Sequence, residues 1–258
     1  VENGVPSVKT EVAIVWDDDA VFVGARMHCE HPESLGMYLD RHDNQGPAEQ
    51  FIVSFDSYHD HRTAYGFGVN TAGVRFDRYV MSDNESDRDY SFNPVWEAKT
   101  ARDSTGWTCE MRIPFSQLRF NDLPEQVWGV QFNRWIPSRF EDLFWVVIPK
   151  NAAGFSSWFG ELHGIRDVKP SRRLELMPYV ASNAGIAGEP PPSDDPLHDR
   201  VTLDKRIGGD LKMGLGPNLT LDATINPDFG QVEADPAVVN LSAYETSFSE
   251  RRPFFAEG

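Results

Sequence analysis

Two cysteines, Cys29 and Cys109, in 258 residues exclude a disulfide-stapled scaffold. They leave room for one bridge or for two buried thiols. Lysine is scarce too: Lys9, Lys99, Lys150, Lys169, Lys205 and Lys212 are the full set, and arginine supplies the other basic groups. Basic charge as a whole is short, with 24 Lys+Arg against 40 Asp+Glu and a formal net charge of −16. That sign excludes phosphate-backbone recognition, so nucleic acid is not an expected partner. It also excludes polybasic docking on anionic lipid. No run of about 18 apolar residues occurs, so no transmembrane helix is encoded. A nucleophile elbow, a phosphate-cradling loop and a metalloprotease helix are all missing. Neither an initiator Met nor a signal-peptide pattern opens the chain at Val1. It stops just after an aromatic and basic cluster, so a piece of a longer protein is expected.

What is present is a core. Hydrophobic residues make up 40% of the chain and aromatics 12%, enough to exclude disorder as the default. The apolar residues alternate with period two, the strand signature. Glu11 to Val15 reads as a strand, the Asp17–Asp19 triplet as a turn, and Val21 to Cys29 as a strand with Val21, Val23, Ala25, Met27 and Cys29 on one face. Phe51 to Asp56 follows. Ala64 to Asn70 and Val74 to Tyr79 form a hairpin around Thr71–Gly73. Ser82 to Asn93 is turn-rich and acidic and reads as a long loop. Val95 to Thr100 and Trp107 to Ile113 form a second hairpin, Pro114 to Leu118 a short helical turn, and Trp128 to Trp135 and Phe144 to Ile148 further strands. Short strands with polar turns and almost no helix predict an all-β fold, an antiparallel sandwich or a barrel.

The texture changes near Gly164 to Pro170, which predicts a sandwich over residues 1–165 and a β-rich extension over 166–258. Leu174 to Val180, Ile207 to Gly214 and Asn218 to Asn226 read as strands of the extension. The Pro/Gly/Asp-rich stretch from Gly185 to Asp199 reads as a mobile loop. Most of the negative charge falls in the first part.

Four groups of residues could carry chemistry. Asp56, His59, Asp60 and His61 offer imidazole and carboxylate ligands for a transition metal, or else form a loop stitched by its own carboxylates. Asp83, Glu85, Asp87 and Asp89 alternate as oxygen ligands for Ca²⁺ could, without the glycine and closing glutamate of an EF-hand loop; the alternative is a solvated acidic loop. Exposed rings beside carboxylates, amides and guanidinium groups suit a sugar, whose C–H face stacks on the ring while its hydroxyls hydrogen-bond. Trp16, Trp107 and Trp128 lie inside strands and are expected in the core. Trp135, Trp145 and Trp158, with Arg62 and Asn70, are the sugar-binding candidates. A pair of carboxylates could hydrolyse a glycoside, with Glu49, Asp56, Glu97 and Glu110 as candidates on or beside strands.

The runs DDDAVFVGARMH, EQFIVSFDSYHDHRTAYGFGVNTAGVRFD, PVWEAKT with GWTCEMRIPFSQLRF, and VWGVQFNRWIP resemble a family 9 carbohydrate-binding module. The later runs, RRLELMPYV and GGDLKMGLGPNLTLDATINPDFGQVEADPAVVNLSAYETSFSERRPFFAEG, are similar to the start of the domain of unknown function that follows such a module in bacterial envelope proteins. That domain in turn resembles an outer-membrane β-barrel. The resemblance implies a jelly-roll sandwich, an upstream signal peptide, and export to the periplasm, outer membrane or exterior. It implies a sugar held between two tryptophans, and Ca²⁺ as a cofactor. Trp96 matches a structural position, which leaves Trp135, Trp145 and Trp158 for the ligand. The leading expectation is a non-catalytic module that binds an oligo- or polysaccharide. A glycoside hydrolase is the first alternative. A structural or assembly domain is the second, with its tail strands free to pair as a homo-oligomer.

Overall fold

A computed structural model describes residues 4–90, 92–170, 174–186, 201–215 and 220–227. The chain divides into two compact units, Val1–Ser171 and Arg172–Ala256. The strands of the first are Thr10–Trp16 (β1), Ala20–His28 (β2), Gln50–Asp56 (β3), Ala64–Asn70 (β4), Arg75–Val80 (β5), Arg88–Asp89 (β6), Glu97–Asp103 (β7), Gly106–Pro114 (β8), Glu125–Ile136 (β9), Glu141–Phe144 (β10) and Gly160–Arg166 (β11). Among the described residues there is no α-helix, only single 3-10 turns such as Phe115–Gln117.

Every pairing is antiparallel. One sheet runs β1-β2-β8-β7. The other runs β10-β9-β3-β4-β5-β6, with β11 also on β9. The two sheets form a β-sandwich, because each strand presents one apolar face that must leave water. Val21, Val23, Ala25 and Met27 of β2 and Trp107, Cys109, Met111 and Ile113 of β8 share one core with Phe51, Val53 and Phe55 of β3, Phe67 and Val69 of β4, and Trp128 and Val130 of β9. Burying each of the larger chains is worth about 1.5–3 kcal/mol. Trp107 and Trp128 are in this core as their strand positions require, whereas Trp16 ends the edge strand β1 and stays 39% exposed.

Three local expectations change. The strand expected at Phe144 to Ile148 starts three residues earlier, at Glu141, and stops at Phe144. After one further backbone bond, from the Trp145 N–H to the Phe132 carbonyl at 3.0 Å, the Gln131 side chain takes over: its Oε1 accepts the Val146 N–H at 2.9 Å and its Nε2 donates to the Val146 carbonyl at 2.7 Å. Strand β11 has no counterpart in the sequence reading. Gly164, at φ 98°, sits in a register shift between His163 and Ile165 that breaks the alternation. The proposed Cys29–Cys109 bridge does not form, and both thiols are free. Cys109 pairs with Ala25, while the Cys29 N–H bonds to the carbonyl of Thr105, so the two lie four positions apart along paired strands. At about 3.4 Å per residue that is far beyond disulfide reach.

The second unit is a three-stranded antiparallel sheet of Leu174–Ile186 (β12), Val201–Gly214 (β13) and Thr220–Ile225 (β14). Its register places Leu176 opposite Leu211, Val180 opposite Ile207, and Met213 opposite Leu221. One face is therefore an apolar ladder, on which Leu174, Leu176, Val180, Leu203, Ile207, Leu221 and Ile225 are exposed. The other face carries Asp210 and Lys212, both buried. The loop expected at 185–199 falls almost wholly outside the described residues, as does the chain beyond 227.

Candidate functional site

The site follows from two glycines in the middle of β4. Gly66 and Gly68 point away from the core, toward the outer face of the larger sheet, and leave a trough there. From β5, Phe76 and Arg78 lie down into it. A Cβ on Gly68 would come 2.1 Å from the Phe76 ring, and one on Gly66 2.8 Å from Arg78 Cγ. Arg78 is only 4% exposed. Its guanidinium meets Glu85 at 3.8 Å, and Glu85 also pairs with Arg88. Arg88 donates to the Tyr90 hydroxyl at 3.5 Å. The Nε groups of both arginines are buried without a hydrogen-bond partner.

The opposite side of the same face is built by β9 and β10. Arg134 and Ile136 point inward, so alternation turns Asn133 and Trp135 outward. Asn133 donates to Asp142, which stands across from Trp135 in the β9–β10 register. Solvent reaches Asp142, yet partial desolvation raises its carboxyl above the ordinary aspartate range; Glu85 pushes the same way, and Asn133, Arg78 and Arg88 oppose. Burial lowers the Arg78 guanidinium to about 10, helped by Arg88 and opposed by Glu85, Tyr90 and Asp142. Groups that start on strands four steps apart thus feel one another's charge across the outer face. Donors, acceptors and a half-exposed indole line one surface, and two guanidinium N–H groups there lack acceptors. A polyhydroxylated ligand can supply both donors and acceptors to such a set.

The predicted sugar residues scatter. Trp135 is on this face. Trp145, 55% exposed, stands instead on Phe132 with ring centroids 5.5 Å apart. It lines a cavity of about 700 Å³ between the sheet edges with Phe51, Leu143, Phe144 and Val12. Trp158 donates its indole N–H to the Ala153 carbonyl at 3.3 Å on the loop before β11. Arg62 is on the β3–β4 loop. Asn70 is no ligand residue: it is fully buried, its Oδ1 accepts the Ala72 and Val74 N–H groups at 2.9 and 3.0 Å, and its Nδ2 donates to the Tyr38 carbonyl. It closes the β4–β5 turn.

The acidic groups also serve the fold. Asp83 Oδ1 accepts the N–H groups of Phe155 and Ser157 at 2.7 and 2.9 Å and anchors the loop that covers one end of the outer face. Glu85 is paired with Arg88, and Asp87 accepts from Ser82. Asp83, Glu85, Asp87 and Asp89 thus do not converge as the Ca²⁺ quartet expected. Asp56 is fully buried and ties down the following loop through the N–H groups of Asp60 at 3.1 Å and His61 at 2.8 Å. Burial raises its carboxyl, against those two hydrogen bonds. Asp60 accepts the N–H groups of Arg62 and Thr63, both at 2.8 Å, so this segment is the self-stitched loop rather than a metal cluster. Glu49 is buried against Arg134 at 2.6 Å. Glu97 and Glu110 lie on the outer face of the smaller sheet, opposite Arg112 and Lys99. The four hydrolase candidates therefore occupy three separate places, and only Glu97 and Glu110 share one, on neighbouring strands.

Sequence reading missed Arg78, Arg88, Asn133 and Asp142. The signal was present in RFDRYV, where Arg78 shares a face with Phe76 and Val80, and in the Gly-x-Gly of the neighbouring strand.

The fold and face define an antiparallel β-sandwich whose larger sheet carries a polar, partly aromatic outer surface. The family model described as a domain of unknown function (DUF5916) matches residues 170–258. No curated protein matches the chain. Among solved structures, a protein from Bacteroides uniformis described as carbohydrate-binding is 14% identical with a TM-score of 0.49, covering 60% of this chain and 78% of its own. A family 9 carbohydrate-binding module from Caldicellulosiruptor kristjanssonii in complex with glucose is 17% identical with a TM-score of 0.45, covering 66% and 81%. The same organism's family 9 module in complex with cellotriose is 17% identical with a TM-score of 0.44, covering 66% and 83%.

Proposed function

We propose that the first unit is a non-catalytic glycan-binding module. Its ligand lies on the outer face of the larger sheet, beside Arg78, Arg88, Asn133 and Asp142, with the Trp135 ring as stacking platform. The observation that supports this most is the set of partly exposed donors and acceptors, Arg88, Asn133 and Asp142, on the same face as the Trp135 ring. Sugar hydroxyls both donate and accept, so they can serve such a mixed set. Isothermal titration against neutral oligosaccharides is the test. The expected result is saturable binding that falls tenfold or more in Trp135→Ala and in Arg78→Met. Absence of heat across the panel with folded protein sinks the reading, as does unchanged affinity in Trp135→Ala.

For the second unit we infer a membrane-facing β-sheet. The support is the apolar ladder of β12–β14 against a polar opposite face, with strands of 13 and 14 residues. A tilted strand needs about 9–11 residues to cross a bilayer and alternates apolar-out with polar-in. The chain is expected to float with phosphatidylcholine vesicles in a density gradient. Val180→Arg and Ile207→Arg should abolish flotation. No flotation of the unaltered chain, or undiminished flotation of both variants, contradicts it.

A further inference from the structure

Beta strand β6 pairs only with Tyr79 and Val80, which leaves the first half of the β5 edge without a strand partner. The loop between β2 and β3 takes that place. The Asp43 N–H donates to the Arg75 carbonyl at 3.1 Å, and the Asp77 N–H to Asp43 Oδ1 at 3.3 Å. Asp43 holds φ 68°, a left-handed conformation that aspartate tolerates better than most residues. This sets His42 between two carboxylates: Nδ1 lies 2.9 Å from Asp43 Oδ2 and Nε2 3.4 Å from Asp77 Oδ1.

Asp77 is the unusual member. It is completely buried, and its Oδ1 accepts the Trp96 indole N–H at 2.8 Å. Its Oδ2 is buried with no hydrogen-bond partner. An orphaned carboxylate oxygen in the interior is costly unless something cationic meets it. Burial accordingly pushes the Asp77 carboxyl up to about 6, against the pull of Trp96 and His42. One ligand atom from each of His42, Asp43 and Asp77 lies within 4.8 Å of the others, the one such group of three among the described residues.

We propose that His42, Asp43 and Asp77 bind one divalent transition-metal ion of the zinc type, with water completing the coordination. One imidazole and two carboxylates are an N/O donor set that zinc accepts, at about 2.0–2.2 Å per ligand. Two carboxylates also neutralise a divalent charge, so the buried site would carry no net charge with a neutral imidazole. Calcium is poorly served, because it takes about 6–8 oxygen ligands and the site offers few. The ligands must draw together, which is feasible because His42 and Asp43 are on a half-exposed loop. Other His–carboxylate contacts are looser or lie at the surface: Glu161 meets His163 at 2.8 Å and His59 at 3.8 Å, and His28 meets Glu11. The site is independent of the glycan reading: alternation puts Asp77 on the face of β5 opposite Arg78.

Equilibrium dialysis of the intact chain with Zn²⁺ tests the proposal, with Co²⁺ as a spectroscopic probe. One equivalent is expected to bind, the unfolding midpoint to rise, and Co²⁺ to give the visible absorption of a low-coordinate site. His42→Gln and Asp77→Asn should each weaken binding tenfold or more. The double variant His59→Ala/His61→Ala should leave it unchanged, and equimolar Ca²⁺ should not displace the ion. His42 is partly exposed, so His42→Gln is expected to fold even where Asp77→Asn does not. Failure of the unaltered chain to bind an equivalent overturns the site. Binding that survives in folded His42→Gln, or that is lost in the His59/His61 variant, assigns the metal elsewhere and overturns it too.

Discussion

Replacing Glu49 by alanine is expected to lower the stability of the sandwich by about 3–5 kcal/mol, the cost of leaving a buried charge without its partner. Glu49 is 6% exposed and Arg134 is 2% exposed. One carboxylate oxygen of Glu49 accepts from Arg134 Nε at 2.8 Å and from the Trp107 indole N–H at 2.7 Å. The rest of the guanidinium donates to the carbonyls of Lys9 and His28 and to Thr10 Oγ1, tying β9 to the N-terminal segment and to β2. Removing Glu49 strands both the guanidinium and the indole in the interior. Denaturant unfolding followed by tryptophan fluorescence reads the change. The double variant Glu49→Leu/Arg134→Met should recover much of the loss, since it leaves no unpaired charge. A loss under about 1 kcal/mol for the single variant would place the pair in the weak class typical of surface ion pairs.

Gly68→Val is expected to cost at least as much as other overpacked core substitutions, about 1–3 kcal/mol or more, and to abolish glycan binding with it. A Cβ at this position would overlap the Phe76 ring at 2.1 Å. The ring cannot retreat without moving β5, and β5 carries Arg78. Stability and binding should therefore fall together. Gly24→Val is the matched control: nothing lies within 4 Å of a Cβ built there, so stability and binding should both be kept. Both substitutions put the same side chain into a strand, so the difference between them isolates the trough. Full binding by a folded Gly68→Val protein would remove the outer face from the ligand's path.

Particular elements show where sequence reading reaches. The inward faces of β2, β3 and β8 were legible because each strand is long, regular and buried on one side, so period-two alternation names its core residues. Strand β11 was not, because Gly160 and the bulge at Gly164 interrupt the pattern. The outward position of Trp135 on β9 could be read from its place in the strand. Asn70, chosen for the same amide chemistry, proves to be a turn residue whose hydrogen bonds are taken up by Ala72, Val74 and Tyr38. An amide in a sequence does not reveal whether its donors and acceptors face water or the chain's own turn. The acidic run at 83–89 was ambiguous for a related reason. Asp83, Glu85 and Asp87 spend oxygens on Phe155, Ser157, Arg88 and Ser82, while Asp89 lies on β6.

The sequence by itself determined that this protein is built of antiparallel β-strands around an aromatic core, because burial of alternating side chains is a local property of each strand. Only the tertiary structure decided which polar groups remain available. The strand register sets Cys109 against Ala25, leaving both thiols free, and folds Glu49 inward onto Arg134. It lays Arg78 over Gly66 and brings His42 to Asp77 from a loop 35 positions earlier. These pairings join residues from distant parts of the chain, and no local pattern encodes which of them will share a hydrogen bond.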